Sequence, residues 1–177
     1  GTYTCDVLII GGGDCGTLRE VLRHAGVELA EQVELDERVT RVAEKFFPDL
    51  CASSNDPRAR LLFTDGIQWV ADAEAASYDV IIVDSTDPVG PAAGLFSEGF
   101  YRNCFKALRP HGIVVGQSES PLFHPDLIQQ MHVALRAAAY LGGEAAVGDG
   151  HAAAHAGVTV PLDLGHAFRP ARLGAGG

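Results

Sequence analysis

No stretch of the sequence carries the ~20 consecutive apolar residues of a membrane span. The apolar segment nearest the start, Val7–Ile10, is short and runs straight into glycines, so it does not read as a secretory signal either. Basic residues are scarce: 13 Lys and Arg stand against 23 Asp and Glu, a formal net charge of −10. Nucleic acid and anionic membranes reward basic patches, so neither is expected as a partner. An acidic chain suits a cationic ligand, and it equally serves solubility alone. The four cysteines, at positions 5, 15, 51 and 104, contain no C-x-x-C pair. Their spacing gives zinc ligation no support, and they read as reduced thiols of a cytoplasmic protein. What is present is apolar material: 47% of 177 residues is hydrophobic, enough for the core of one domain.

The chain divides by composition. From Ala137 to Gly177, 21 of 41 residues are Ala or Gly and hydrophobic periodicity is lost. We therefore expect a folded domain over 1–139 and a poorly defined Ala/Gly-rich tail over 140–177. The tail holds His151, His155 and His166, for which a metal site is weaker than the bland reading of a mobile segment. Before the tail, strand and helix patterns alternate. Asp6–Ile10, Gln32–Leu35, Arg60–Thr64, Tyr78–Val83 and Gly112–Gly116 read as strands. Thr17–His24, Glu37–Phe47, Gly66–Ala73, Gly94–Leu108 and Pro125–Ala139 read as helices. Repeated β-α units with right-handed crossovers give an α/β, Rossmann-like, doubly wound and mostly parallel sheet with helices on both faces. Ligands of such sheets sit beyond the carboxyl ends of the strands, so the residues following each strand are the candidates for chemistry.

The first strand ends in Gly11-Gly-Gly-Asp-Cys-Gly16, a G-x-G-x-x-G pattern between strand and helix, with Glu34 and Asp36 about 20 residues on. Glycines there permit a tight turn and close approach of a ligand; the bland alternative is a turn that binds nothing. Asp14 disfavours a dinucleotide, because like charges ~4 Å apart cost up to ~4 kcal/mol at an effective dielectric of 20. It favours a positively charged adenosine derivative such as a sulfonium. Glu34 suits a ribose diol, and Asp36 suits capping of the next helix or support beside the site. Asp65, before Gly66, fits an adenine amino group or a helix cap equally well. Asp84-Ser-Thr-Asp87-Pro88 follows the most apolar strand, and a cap explains one of its aspartates but hardly both. Gln117 and Glu119 follow the fifth strand. These strand ends supply carboxylates and no Lys or Arg, an arrangement whose repulsion a polycation would relieve.

Taken together, these stretches resemble the polyamine aminopropyltransferases, most closely the spermidine synthases. The resemblance lies in Val7–Asp14, Gly16–Val21, Val33–Asp36, Asp56-Pro-Arg58, Asp65-Gly66, Tyr78–Pro91, Leu95-Phe96, Phe100-Tyr101 and Gln117-Ser-Glu119, and so covers roughly residues 6–136. It implies transfer of an aminopropyl group from decarboxylated S-adenosylmethionine to putrescine, giving spermidine and methylthioadenosine. The nucleoside co-substrate would lie on Gly11, Gly13, Asp14, Glu34, Asp65 and Gly66. Asp14 would take the amine of its aminopropyl chain, Glu34 the ribose, and Asp65-Gly66 the adenine side. Putrescine would lie on Asp84, Asp87 and Gln117, with Asp84 the catalytic base. The resemblance implies no metal and no cofactor apart from that co-substrate, and a homodimer or homotetramer. Two further readings are an S-adenosylmethionine-dependent methyltransferase, which Asp14 and the Asp84/Asp87 pair disfavour, and an inactive or truncated relative that only binds or assembles. The sequence departs from the family in three places. Cys15 stands where glycine is usual, at a cost of ~1–2 kcal/mol if the backbone there is left-handed. The family's N-terminal β-domain is expected to be absent. Thr159-Val-Pro161 continues Leu162-Asp163, without the tyrosine that would line the diamine pocket.

Overall fold

The computed structural model describes residues 4–85, 90–116 and 125–142. Its five strands are β1 (Cys5–Gly11), β2 (Val27–Glu34), β3 (Ala59–Phe63), β4 (Tyr78–Asp84) and β5 (Leu108–Gly116). They form one sheet in the order β3-β2-β1-β4-β5, and every neighbouring pair is parallel. The helices are α1 (Gly16–Leu22), α2 (Glu37–Phe46), α3 (Pro48–Cys51), α4 (Gly66–Asp72), α5 (Glu98–Ala107) and α6 (Pro125–Gly142). This is the expected doubly wound Rossmann-like fold. The chain winds outward from β1 through β2 to β3, then returns to the other side of β1 for β4 and β5. That reversal creates a switch point between β1 and β4, where a crevice opens.

The apolar runs become central strands because both faces of the sheet are covered. On one face Leu8, Ile10, Val33, Ile81, Val83 and Val114 pack against Val70, Phe100, Tyr101, Cys104, Leu135 and Ala138 of α4, α5 and α6. On the other, Val7, Ile9, Ala30, Ile82 and Val115 meet Leu18 and Val21 of α1, Ala43 of α2 and Cys51 of α3. All four cysteines are free and buried.

Several boundaries differ from expectation, each for a local reason. Strand β2 starts at Val27 rather than Gln32, because Glu31 is satisfied inside the fold. Its Oε1 accepts from Arg60 at 2.7 Å and its Oε2 accepts from the Tyr78 hydroxyl at 2.6 Å. The expected helix over Gly94–Leu108 is two pieces, a 3-10 segment over Gly90–Phe96 and then α5. Ser97 ends the first and caps the second, its hydroxyl accepting from the Phe100 N–H. Leu108 leaves the helix to pair with Tyr78, so β5 begins four residues before the expected Gly112. The helix expected over Glu37–Phe47 ends at Phe46, and the chain continues as α3, which Pro48 opens, and a 3-10 turn over Ala52–Asn55. Asp56-Pro-Arg58 proves to be a fold element: Arg58 pairs with Asp56 and donates to the carbonyls of Leu22, His24 and Val27 along the connection from α1 to β2.

The Glu31 cluster makes a testable element of stability. Trp69 Nε1 donates to the Tyr78 hydroxyl at 3.3 Å, and that hydroxyl donates on to Glu31. Tyr78→Phe deprives the nearly buried carboxylate of a donor and Trp69 of its acceptor. The expected loss is ~2 kcal/mol, read as a melting temperature lower by roughly 4–8 °C. Burial, and then the bond to Glu31, push the Tyr78 phenol up to about 12 from 10.0. Its contribution is therefore complete below pH 10 and lost as pH rises through about 12, so the gap between wild type and Tyr78→Phe should narrow over that window. Equal melting at pH 7 would show that the cluster carries no stability.

Candidate active site

The site is built on the switch point. Gly11 at the end of β1 is the registered neighbour of Asp84 at the end of β4. The Gly12 N–H donates to the Asp84 carbonyl at 2.8 Å, which stitches the glycine loop onto β4. Gly11 and Gly12 adopt positive φ of 84° and 64°. A Cβ on Gly13 would lie 2.7 Å from Glu34 Oε2, so the missing side chain is what lets Glu34 lie against the loop. The other Glu34 oxygen accepts from the Asp36 N–H at 2.9 Å, which fixes the carboxylate at the end of β2.

Asp36 takes the capping role. It accepts from the Arg38 N–H at 3.0 Å and pairs with the Arg38 guanidinium, which holds its carboxyl at about 2. Asp65 takes the capping role at α4, accepting from the Ile67 N–H at 2.8 Å, and it also lines the cavity described below. Asp14 is exposed and accepts from the Gly16 N–H at 2.9 Å.

These side chains surround a cavity of about 540 Å³, a size that fits a nucleoside-scale ligand. Gly11, Gly13, Asp14, Glu34, Asp65, Gly66 and Asp84 all line it. Asp87, Gln117 and Glu119 lie outside the described residues, as do the three tail histidines and Thr159–Asp163. Four carboxylates line the cavity, from Asp14, Glu34, Asp65 and Asp84, while Lys, Arg and His are absent from the described lining. Ile10, Val33, Val39, Ile67 and Leu95 supply apolar wall. An apolar slot with anionic corners holds a flat heterocycle carrying positive charge better than it holds a phosphate. No group of three or more His, Cys, Asp or Glu with metal-binding geometry occurs among the described residues.

A family model described as "Spermine/spermidine synthase domain" matches residues 3–144. The chain belongs to the spermine/spermidine synthase family. A polyamine aminopropyltransferase of Thioalkalivibrio sulfidiphilus is 67% identical over 137 residues, covering 77% of this chain and 48% of the relative. One from Methylococcus capsulatus is 63% identical over 134 residues, covering 76% and 47%. The chain thus spans about half the length of the curated relatives it matches. Among solved structures, a spermidine synthase in complex with the transition-state analogue AdoDATO superposes with a TM-score of 0.71 at 38% identity, over 75% of this chain and 45% of that one. The spermidine synthase of Thermotoga maritima gives 0.70 at 38%, over 76% and 45%. No helix among the described residues is long and apolar enough to cross a membrane.

Two features of the site were not singled out by residue pattern. Thr17 of α1 donates its hydroxyl to Asp84 Oδ2 at 2.6 Å. Its signal was its place one turn before the buried Val21, which directs it at the sheet. The apolar wall was hidden because its members also look like ordinary core.

Cys15 adopts the left-handed region, at φ 65° and ψ 10°. It is fully buried, and its sulfur accepts from Ser54 Oγ at 3.4 Å and Gln32 Nε2 at 3.8 Å. Strain and packing therefore oppose each other at this position. A pair of variants separates them, since Cys15→Ala and Cys15→Gly lose the same sulfur contacts but only Gly relaxes the backbone. Cys15→Gly should be the more stable of the two by ~1–2 kcal/mol in urea unfolding, the reverse of the usual Ala-over-Gly order. If Cys15→Ala proves the more stable, the backbone at this position is not strained.

Proposed function

We propose that the protein transfers an aminopropyl group from decarboxylated S-adenosylmethionine to putrescine, releasing methylthioadenosine and forming spermidine. The observation that carries this reading is the cavity lined by four carboxylates with no cationic side chain among its described residues. Glu34 is set to accept from the ribose hydroxyls, and Asp65 with Gly66 borders the adenine. Asp14 faces the aminopropyl ammonium. The Asp14 carboxylate also supports selectivity, because ordinary S-adenosylmethionine carries a carboxylate where the decarboxylated form has none, and Asp14 would repel it. Asp87 and Gln117 are assigned to the diamine.

The chemistry asks for a neutral amine. With a lysine-like pKa of ~10.4, less than ~0.1% of it is neutral at pH 7, equivalent to ~4–5 kcal/mol. In the proposed step the putrescine nitrogen attacks the carbon beside the sulfonium. The C–S bond breaks with its electron pair going to sulfur, and the nitrogen proton passes to the Asp84 carboxylate. The sulfonium is a good leaving group as it stands. Holding nitrogen and carbon in line supplies much of the remaining acceleration.

The test is calorimetry with decarboxylated and ordinary S-adenosylmethionine, followed by product analysis after putrescine is added. Tighter binding of the decarboxylated form and appearance of spermidine support the proposal. Preference for ordinary S-adenosylmethionine would favour a methyltransferase, and binding without transfer a binding-only relative.

A further inference from the structure

We infer that Thr17 is a positioning residue for Asp84, holding one carboxylate oxygen so that the group meets the attacking amine in a fixed orientation. The inference rests on the reading of Asp84 as the proton acceptor.

The backbone of Asp84 is set by its pairing with Gly11 and by the bond from the Gly12 N–H. Its side chain lies over the glycine loop, where a Cβ on Gly12 would come within 3.0 Å of Oδ2. Backbone pairing does not set the carboxylate plane, because the terminal torsion of an aspartate is broad and shallow. A hydrogen bond to one oxygen narrows it. Thr17 supplies such a bond, across 67 residues of sequence and at 2.6 Å, within the range of charge-assisted O–H···O⁻ contacts. The donor sits on a rigid element: Thr17 is buried on α1, between the strained turn at Cys15 and the core contacts of Leu18 and Val21. A base mounted this way is aligned before substrate arrives, and a base free to rotate spends part of its time misaligned. That loss falls on the chemical step and leaves nucleoside affinity almost untouched.

The experiment uses Thr17→Val, which removes the hydroxyl at nearly constant shape, and Thr17→Ser, which keeps it. Steady-state kinetics with putrescine varied are paired with calorimetry of methylthioadenosine on each variant. Thr17→Val should lower kcat ~10-fold or more while the putrescine KM and the methylthioadenosine Kd change less than ~3-fold, as expected for lost alignment. Thr17→Ser should recover most of kcat. Wild-type kcat in Thr17→Val would overturn the inference. So would an equal loss of kcat and nucleoside affinity in both variants, which marks a purely structural residue. If Thr17→Val fails to fold, Thr17→Ala against Thr17→Ser makes the same comparison. A wild type that binds nucleoside but transfers nothing would overturn the reading of Asp84 and the inference with it; an active wild type with an unaffected Thr17→Val overturns the inference alone.

Discussion

Asp84→Asn should lower kcat by ~10²–10⁴ while leaving methylthioadenosine affinity within a few-fold of wild type. Asparagine keeps the shape of aspartate and one acceptor oxygen. That oxygen can still take the Thr17 hydroxyl, which now donates to Oδ2 at 2.6 Å. The amide group then occupies the other position, where it donates a hydrogen bond and accepts no proton at neutral pH. The fold should be preserved, because the Asp84 backbone is held by Gly11 and Gly12 independently of its side chain. Asp87→Asn should instead raise the putrescine KM, since an ion-pair anchor acts on ground and transition states alike. Kinetics of both variants across pH 7–9 with putrescine varied decide the matter. Near-normal kcat in Asp84→Asn, or exchanged profiles, would reverse the assignment of base and anchor.

The positions that proved easiest to read in the sequence are those where topology does the placing. In a parallel doubly wound sheet every strand points its carboxyl end to the same edge, so Asp14, Glu34, Asp65 and Asp84 converge whatever the details of packing. Apolar β-branched runs such as Val80–Val83 marked central strands because both of their faces are buried. Polar residues inside strands misled the reading. Glu28 and Glu31 concealed the first half of β2, since no local pattern shows that Glu31 finds its donors on β3 and β4. The start of β5 was concealed by Arg109-Pro110-His111, which reads as a turn. There Arg109 pairs with Asp6 and Asp79, and His111 takes a positive φ of 71° where β5 falls out of register with β4. Thr17 escaped for the same reason as Glu31: its place one turn before Val21 puts it on the sheet-facing side of α1, but its partner lies 67 residues away and no local pattern names it.

Gly11→Ala should be the most damaging single methyl group that can be added to the loop. A Cβ at this position would lie 2.0 Å from the Asp84 carbonyl oxygen and 3.0 Å from its carbon, and both are backbone atoms of the neighbouring strand. Neither can move aside without opening the β1–β4 pairing and the bond from the Gly12 N–H. Gly11 also sits at φ 84°, where an L side chain is strained even in open space. Overpacking of ~1–3 kcal/mol and a left-handed penalty of ~1–2 kcal/mol together predict a loss of ~2–5 kcal/mol. For a domain of this size that lowers the melting temperature by roughly 10 °C. The displaced loop should also weaken methylthioadenosine binding at least ~10-fold, because Gly11, Gly12 and Gly13 line the cavity and move with it. Gly16→Ala is the control from the same loop. There the nearest contact is the Asp14 carboxylate at 3.2 Å, a side chain that can yield, and Gly16 begins a helix. Its stability should stay within ~1 kcal/mol of wild type. Thermal melts with calorimetry of both variants test the pair; a Gly11→Ala protein melting within ~2 °C of wild type would show that the junction of β1 and β4 has slack, and that the loop is not held as tightly as its geometry implies.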